Sequence, residues 1–244
     1  MGRLNEPARA SHPRPRRNPA IASSFLAALF PYDVGAAELR SPGEPSLLFP
    51  EEARHLGAAV LVRAREFAAG RLCARRAMIE LGGMEVPLEV DRDRQPHWPP
   101  LFTGSITHTE GFCGAVVARR SHIRSLGLDA EVLGRVLPEM WPEIMTPVEL
   151  AWLQTLAATT QLIAATSIFS AKEAFFKCQF AVTGEWLDFH AVAVGFSACN
   201  SGHGTFAVRP LVKMAVLDCT ATPLVGRFGF CENLVLTGMA FVAS

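Results

Sequence analysis

Gly127-Leu128-Asp129-Ala130-Glu131 lies near the middle of a 244-residue chain, and the fold can be worked out in both directions from it. Residues 123–131 place apolar side chains between turn-forming stretches, which predicts a strand. On a strand, side chains two apart share a face, so Asp129 and Glu131 project together at a spacing of about 7 Å. Upstream, residues 105–107 and 113–118 predict two more strands, with turns at Gly111 and at 119–122. Before them, residues 50–81 carry a helical pattern in two pieces, with Glu51 and Glu52 in the first turn and Gly82-Gly83 as a stop. Residues 87–90 predict a short strand and 92–100 a Pro-punctuated loop. Downstream, Thr146-Pro147 caps a helix running to about residue 158, with Glu149 at the capping-box position. A second helix is expected over 167–180. Strands then follow at 186–196, 205–209, 213–217, 227–231 and 234–242. This order of helix, strands, helices and strands predicts an α+β fold with two α/β halves, 21–126 and 127–244, and no internal repeat is obvious.

Half of the residues are hydrophobic and 19% are charged, which excludes wholesale disorder and a coiled coil. Lys+Arg and Asp+Glu both number 23, but Arg3, Arg9, Arg14, Arg16 and Arg17 stand against Glu6 alone in the first 17 residues. The remainder is therefore net negative, which argues against a nucleic-acid binder, and residues 1–20 are expected to form a loose basic tail. The apolar run at 20–30 is broken by Ser23 and Ser24 and ends in Phe30-Pro31, unlike a signal peptide. No stretch is long and apolar enough to suggest a membrane span. Six cysteines without a Cys-x-x-Cys pair suggest free thiols, and the expected location is the cytoplasm.

Only three lysines occur, at 172, 177 and 213, in a chain that otherwise uses arginine. Two of them fall in Phe169-Ser170-Ala171-Lys172-Glu173-Ala174-Phe175-Phe176-Lys177. On a helix Glu173 and Lys177 share a face, and Lys172 lies about 100° round from Glu173. A bare Asp-x-Glu is ordinarily a solvated strand end, and a Glu–Lys pair at this spacing an ordinary surface ion pair. Here the flanking Phe169, Phe175, Phe176 and Phe180 demand burial, and buried charges need partners such as each other, a metal or a phosphate. Gly104-Ser105-Ile106-Thr107-His108-Thr109 adds hydroxyls and an imidazole suited to phosphate oxygens. Arg63, Arg71, Arg75 and Arg76 lie along one helix, and guanidinium forks suit a terminal phosphate.

In this order, GSITHT, GLDAE and FSAKEAFFK resemble the Sfp-type 4′-phosphopantetheinyl transferases. FAAGRLCARRAMIELG, QPHWPP and TGEWLDF narrow the resemblance to the subgroup similar to enterobactin synthase component D. It spans residues 30–196. It implies a monomer of two similar subdomains in pseudo-twofold arrangement, with coenzyme A in the cleft between them. The implied reaction moves phosphopantetheine from coenzyme A to a serine of an apo acyl or peptidyl carrier protein and releases 3′,5′-ADP. By the same resemblance Asp129, Glu131 and Glu173 hold Mg²⁺, and Lys172 and Lys177 contact the phosphates. His108 meets the 3′-phosphate region, Arg63, Arg71 and Arg75 the nucleotide end, and Ser105 and Thr107 line the same pocket. Arg94 is a further candidate. Catalysis would rest on Glu173, Lys177 and Asp129, with Glu173 or a Mg²⁺-bound water taking the serine proton. Ala130 and Val132 depart from the bulkier residue and the proline common around the acidic pair, and residues 157–168 match poorly. The alternative is a silent module that binds coenzyme A or a carrier protein without reaction.

Overall fold

Two long helices rich in small residues each lie against their own antiparallel sheet. The computed structural model describes residues 21–91, 95–197, 202–218 and 224–243. The basic tail at 1–20 and Arg94 lie outside the described residues. In the first half, strands β1 (Ile21–Ala22), β2 (Gly35–Leu39), β3 (Phe102–Thr109) and β4 (Phe112–Arg119) form a sheet in the order β1-β2-β4-β3. Helices α1 (Ser24–Ala28), α2 (Pro50–Ala53) and α3 (Leu61–Glu80) accompany it. The second sheet has the order β5-β9-β8-β7-β6, from β5 (Ile123–Val132), β6 (Val192–Phe196), β7 (His203–Pro210), β8 (Val225–Cys231) and β9 (Leu234–Val242). Its helices are α4 (Trp141–Ile144), α5 (Pro147–Leu153) and α6 (Ala158–Thr183).

The apolar faces decide the packing. Ala69, Leu72, Cys73, Ala77 and Met78 of α3 bury against Ala37, Leu39, Ala115 and Val117 of the first sheet. Ala171, Phe175 and Cys178 of α6 bury against Val192, Val194, Phe206 and Met239 of the second. A third cluster joins the halves, with Leu26, Phe30 and Val116 packed on Leu126, Leu128 and Leu236. The passage from one sheet to the other comes in the turn after Arg119, so position 126, where the sequence suggests a junction, falls inside β5.

Helix and strand approach so closely that glycine is required in each half. A Cβ on Gly35 would stand 2.0 Å from the Ala77 carbonyl oxygen, and one on Gly127 would stand 1.8 Å from that of Ala174. Gly127→Ala is therefore expected to force β5 off α6 and to destabilise the protein by about 2–3 kcal/mol. A denaturant titration checks this, and an unchanged midpoint would contradict the packing.

The same comparison exposes a repeat that the residue types obscure. Pro50 and Pro147, Glu52 and Glu149, Leu56 and Leu153, Ala74 and Ala171, and Ala77 and Ala174 are identical pairs, each 97 residues apart (52 to 149, 77 to 174). Each proline opens a short helix, and each later alanine lies on the long one.

Local expectations fail where tertiary contacts override pattern. Residues 87–90 form no strand; a single bridge, Val90 to Pro96, closes the loop that follows. Residues 213–217 do not form a strand either, since Ala215–Asp218 is a turn of 3-10 helix. Helix α5 ends at Leu153, while α6 starts nine residues before position 167, without an acidic first turn or a side-chain cap to announce it. The strand expected over 186–196 is confined to Val192–Phe196.

Candidate active site

A cavity of about 670 Å³ opens between the halves. Helix α3 contributes Arg63, Glu66 and Arg71 to its wall, and β3 contributes Ile106, Thr107 and His108. Strand β5 contributes Asp129 and Glu131, and α6 contributes Glu173 and Lys177. The first half thus supplies guanidinium and imidazole groups together with the Glu66 carboxylate, and the second half supplies three carboxylates and one ammonium.

The carboxylate wall is built from both periodicities. Asp129 and Glu131 share a face of β5, and Glu173 and Lys177 share a face of α6 across from it. Lys177 Nζ donates to Asp129 Oδ1 at 2.7 Å and to the Leu128 carbonyl at 3.2 Å. Thr107 Oγ1 donates to the same carboxylate oxygen at 3.4 Å. The other oxygen, Asp129 Oδ2, is buried without a hydrogen-bond partner. Burial, and then the Asp129 charge, push Glu131 up to about 7, with Glu173 adding and Lys177 opposing. Burial also raises Glu173, Lys177 opposing and Asp129 adding. Burial works against the Lys177 ammonium, but Asp129, Glu173 and Glu131 outweigh it and hold it above its ordinary range. The second-half wall is therefore short of positive charge.

On the opposite wall, Arg71 is buried, its Nε donating to the Leu88 carbonyl at 2.7 Å and its guanidinium lying over the Phe67 ring. One of its terminal nitrogens, Nη2, is buried without a hydrogen-bond partner. Burial lowers Arg71 to about 10, which leaves it cationic at neutral pH. Arg63 and His108 lie in more open positions, and both face Glu66, at 3.0 and 3.8 Å.

Three of the expected phosphate or pocket residues are engaged elsewhere. Lys172 is 2% exposed and bonds Glu149 at 2.8 Å, together with the carbonyls of Ile144 and Phe189. Those three acceptors match its three ammonium protons, so it has no donor left for a phosphate. Arg75 is 1% exposed and grips both oxygens of Glu52 at 2.7 Å. The Ser105 hydroxyl accepts from Leu128 N at 3.0 Å and so ties β3 to β5. Helical position brought Lys172 and Arg75 near the site, but packing turned both into the protein, while Ser105 on β3 lines the adjoining cavity.

The sequence reading did not pick out an adjoining aromatic wall. Phe176 and Phe180 stack at 5.2 Å, and the exposed Trp186 meets both edge-on at 5.0 and 5.8 Å. They line a second cavity of about 460 Å³, which shares Pro96, Ile106 and Lys177 with the first. The i,i+4 spacing of the two phenylalanines was the available signal.

The repeat explains why one such site exists and not two. With Gly35 matched to Gly127 and Ala77 to Ala174, the positions equivalent to Asp129, Glu131, Glu173 and Lys177 are Ala37, Leu39, Arg76 and Glu80. No carboxylate cluster can form there.

Residues 51–118 match the 4′-phosphopantetheinyl transferase N-terminal domain, and residues 125–225 match the 4′-phosphopantetheinyl transferase superfamily. The chain is 40% identical over 206 residues to 4′-phosphopantetheinyl transferase Svp of Streptomyces mobaraensis, covering 83% of this chain and 82% of that protein. It belongs to the 4′-phosphopantetheinyl transferase family. It is also 36% identical over 223 residues to 4′-phosphopantetheinyl transferase PptT of Mycobacterium tuberculosis, covering 90% of this chain and 97% of that one. The likeness to enterobactin synthase component D of Escherichia coli (strain K12) is 38% over 117 residues, or 47% of this chain and 54% of that protein. The protein is thus an enzyme of this transferase class with the mixed helix-and-sheet fold of its family. Among the described residues no helix is long and apolar enough to cross a membrane.

Proposed function

We propose that the enzyme moves 4′-phosphopantetheine from coenzyme A to a serine hydroxyl of an apo acyl or peptidyl carrier protein, with Mg²⁺, releasing 3′,5′-ADP. The observation that carries this reading is the division of the cavity into a guanidinium–imidazole wall and a carboxylate–ammonium wall. A nucleotide with a terminal phosphate and a pyrophosphate needs both. Arg71, with Arg63 and His108, faces the nucleotide phosphate, and Lys177 offers a point charge to the pyrophosphate. The apolar channel beside Lys177, walled by Phe176, Phe180 and Trp186, suits the pantetheine arm. The enzyme is proposed to act as a cytoplasmic monomer.

The metal fits the residues present. Among the described residues, no three carboxylate, imidazole or thiol groups are already gathered around a metal-sized space. The donor set is nonetheless all oxygen, one of its atoms, Asp129 Oδ2, is buried without a partner, and burial together with the Asp129 charge holds Glu131 above its usual range. Asp129, Glu131 and Glu173 would hold Mg²⁺, and the chemistry it supplies when bound is neutralisation of charge on the pyrophosphate oxygens. Glu173, already raised, accepts the serine proton as the serine oxygen attacks the phosphorus that bears pantetheine. The bond from that phosphorus to the bridging oxygen breaks, and the electron pair leaves on 3′,5′-ADP. Lys177 stabilises the charge that builds on the phosphate oxygens, and Arg71 keeps the departing nucleotide in line.

Incubation of the protein with coenzyme A, Mg²⁺ and several apo carrier proteins should add about 340 Da to at least one of them, the mass of the transferred group. Intact-protein mass spectrometry reads this directly. No gain on any carrier would leave a binding-only role ahead.

A further inference from the structure

The two ion pairs that removed Lys172 and Arg75 from the ligand surface are the same device built twice. In the second half, Glu149 Oε2 accepts from Thr146 N at 2.7 Å, from Thr146 Oγ1 at 2.8 Å and from Lys172 Nζ at 2.8 Å. Its other oxygen accepts from Val194 N at 2.7 Å. One buried carboxylate thereby fixes the start of α5, the middle of α6 and the strand β6. In the first half, Glu52 accepts from Phe49 N at 2.9 Å, from Arg75 at 2.7 Å and from Leu88 N at 2.9 Å. The corresponding carboxylates and cations are 97 residues apart (52 to 149, 75 to 172).

Each device ends one step from the cavity. Leu88, whose N–H is held by Glu52, offers its carbonyl to Arg71 Nε. Lys172, held by Glu149, is followed directly by Glu173, which lines the cavity on the adjoining face of α6. We propose that Glu149 and Lys172 are positioning residues that set the rotation of α6 and so aim Glu173, and with it Lys177, at the reacting groups. Neither touches the cavity of Arg71 and Asp129, so their effect on the reaction passes through Glu173. A salt bridge kept only for stability could be replaced by apolar groups of similar volume without functional loss. A salt bridge that aims a helix could not, because apolar groups carry no direction.

This separates the two roles experimentally, and the inference rests on the proposed carboxylate site. The paired variant Glu149→Leu with Lys172→Met removes both charges together, and Lys172→Arg copies the cation used in the first half. Each is compared with the parent for melting temperature, for kcat and for KM of coenzyme A at saturating Mg²⁺. The paired variant is expected to fold but to melt below the parent, because the Thr146 and Val194 amides lose their acceptor, with kcat down about tenfold and KM changed less than about twofold. Lys172→Arg is expected to fold and to lose kcat several-fold at unchanged KM. If the paired variant folds and keeps full kcat, the residues are structural only and the proposal is overturned. Should the paired variant fail to fold, Lys172→Arg decides: full kcat overturns the proposal, and a kcat loss at constant KM supports it. Asp129→Ala, assayed alongside, keeps the two readings apart. An active Asp129→Ala would remove the carboxylate site itself, whereas fully active positioning variants beside an inactive Asp129→Ala would remove only this inference.

Discussion

Asp129→Ala is expected to lower phosphopantetheine transfer by about a thousandfold, equivalent to roughly 4 kcal/mol of transition-state stabilisation. Asp129 is 3% exposed and anchors Lys177 and Thr107 through one oxygen while the other has no partner. In the proposed reaction its loss would remove a ligand of the cation, and it frees Lys177 from the bond that holds it at 2.7 Å. The fold is expected to survive, because the substitution also relieves repulsion among Asp129, Glu131 and Glu173. Lys177 keeps the Leu128 carbonyl and is partly exposed, so its charge can reach water. A time course of carrier modification with a parallel thermal melt checks both parts. Near-normal turnover would remove Asp129 from the site, and a collapsed melt would make its role structural.

Glu149→Ala has the largest expected effect on stability. It leaves the Lys172 ammonium in the core with two carbonyls and no counter-charge, and it strips the Thr146 and Val194 amides of their acceptor. Burial already pulls Lys172 below its ordinary range, with Glu149 the main opposing influence. Removing one partner of such a buried pair costs about 3–5 kcal/mol. For a chain of this size that corresponds to a fall in melting temperature of about 10 °C. Calorimetry measures it; a shift of only about two degrees would show that the pair carries little of the second half's stability.

The carboxylate wall was legible because both of its parts obey a local period. The two-residue period of a strand joins Asp129 to Glu131, and the four-residue period of a helix joins Glu173 to Lys177. What brings strand and helix together, the contact of Gly127 with the Ala174 carbonyl, has no local signature beyond a glycine in a strand. Lys172 and Arg75 sit apart from the cavity for a related reason. A sequence shows that a cation is present but not which face of its helix another element covers. Their partners lie 23 residues away in both cases. The cap formed by Thr146, Pro147 and Glu149 could be anticipated, but not that Glu149 serves Lys172 and Val194 as well. The repeat is faint in the sequence because its halves keep residues that shape the backbone, such as Pro50 with Pro147 and Ala77 with Ala174, and change those that line the cavity. The start of α6 was invisible because Ala157 supplies no side-chain cap.

The proposed reaction requires one cavity between the halves to hold the pyrophosphate of coenzyme A against Asp129, Glu131 and Glu173. Co-crystals grown with coenzyme A and Mn²⁺ in place of Mg²⁺ test it most directly, through the anomalous difference density. The account predicts a single strong peak within coordination distance of all three carboxylates and of pyrophosphate oxygens. A nucleotide seated elsewhere, or a manganese peak away from these side chains, would contradict it.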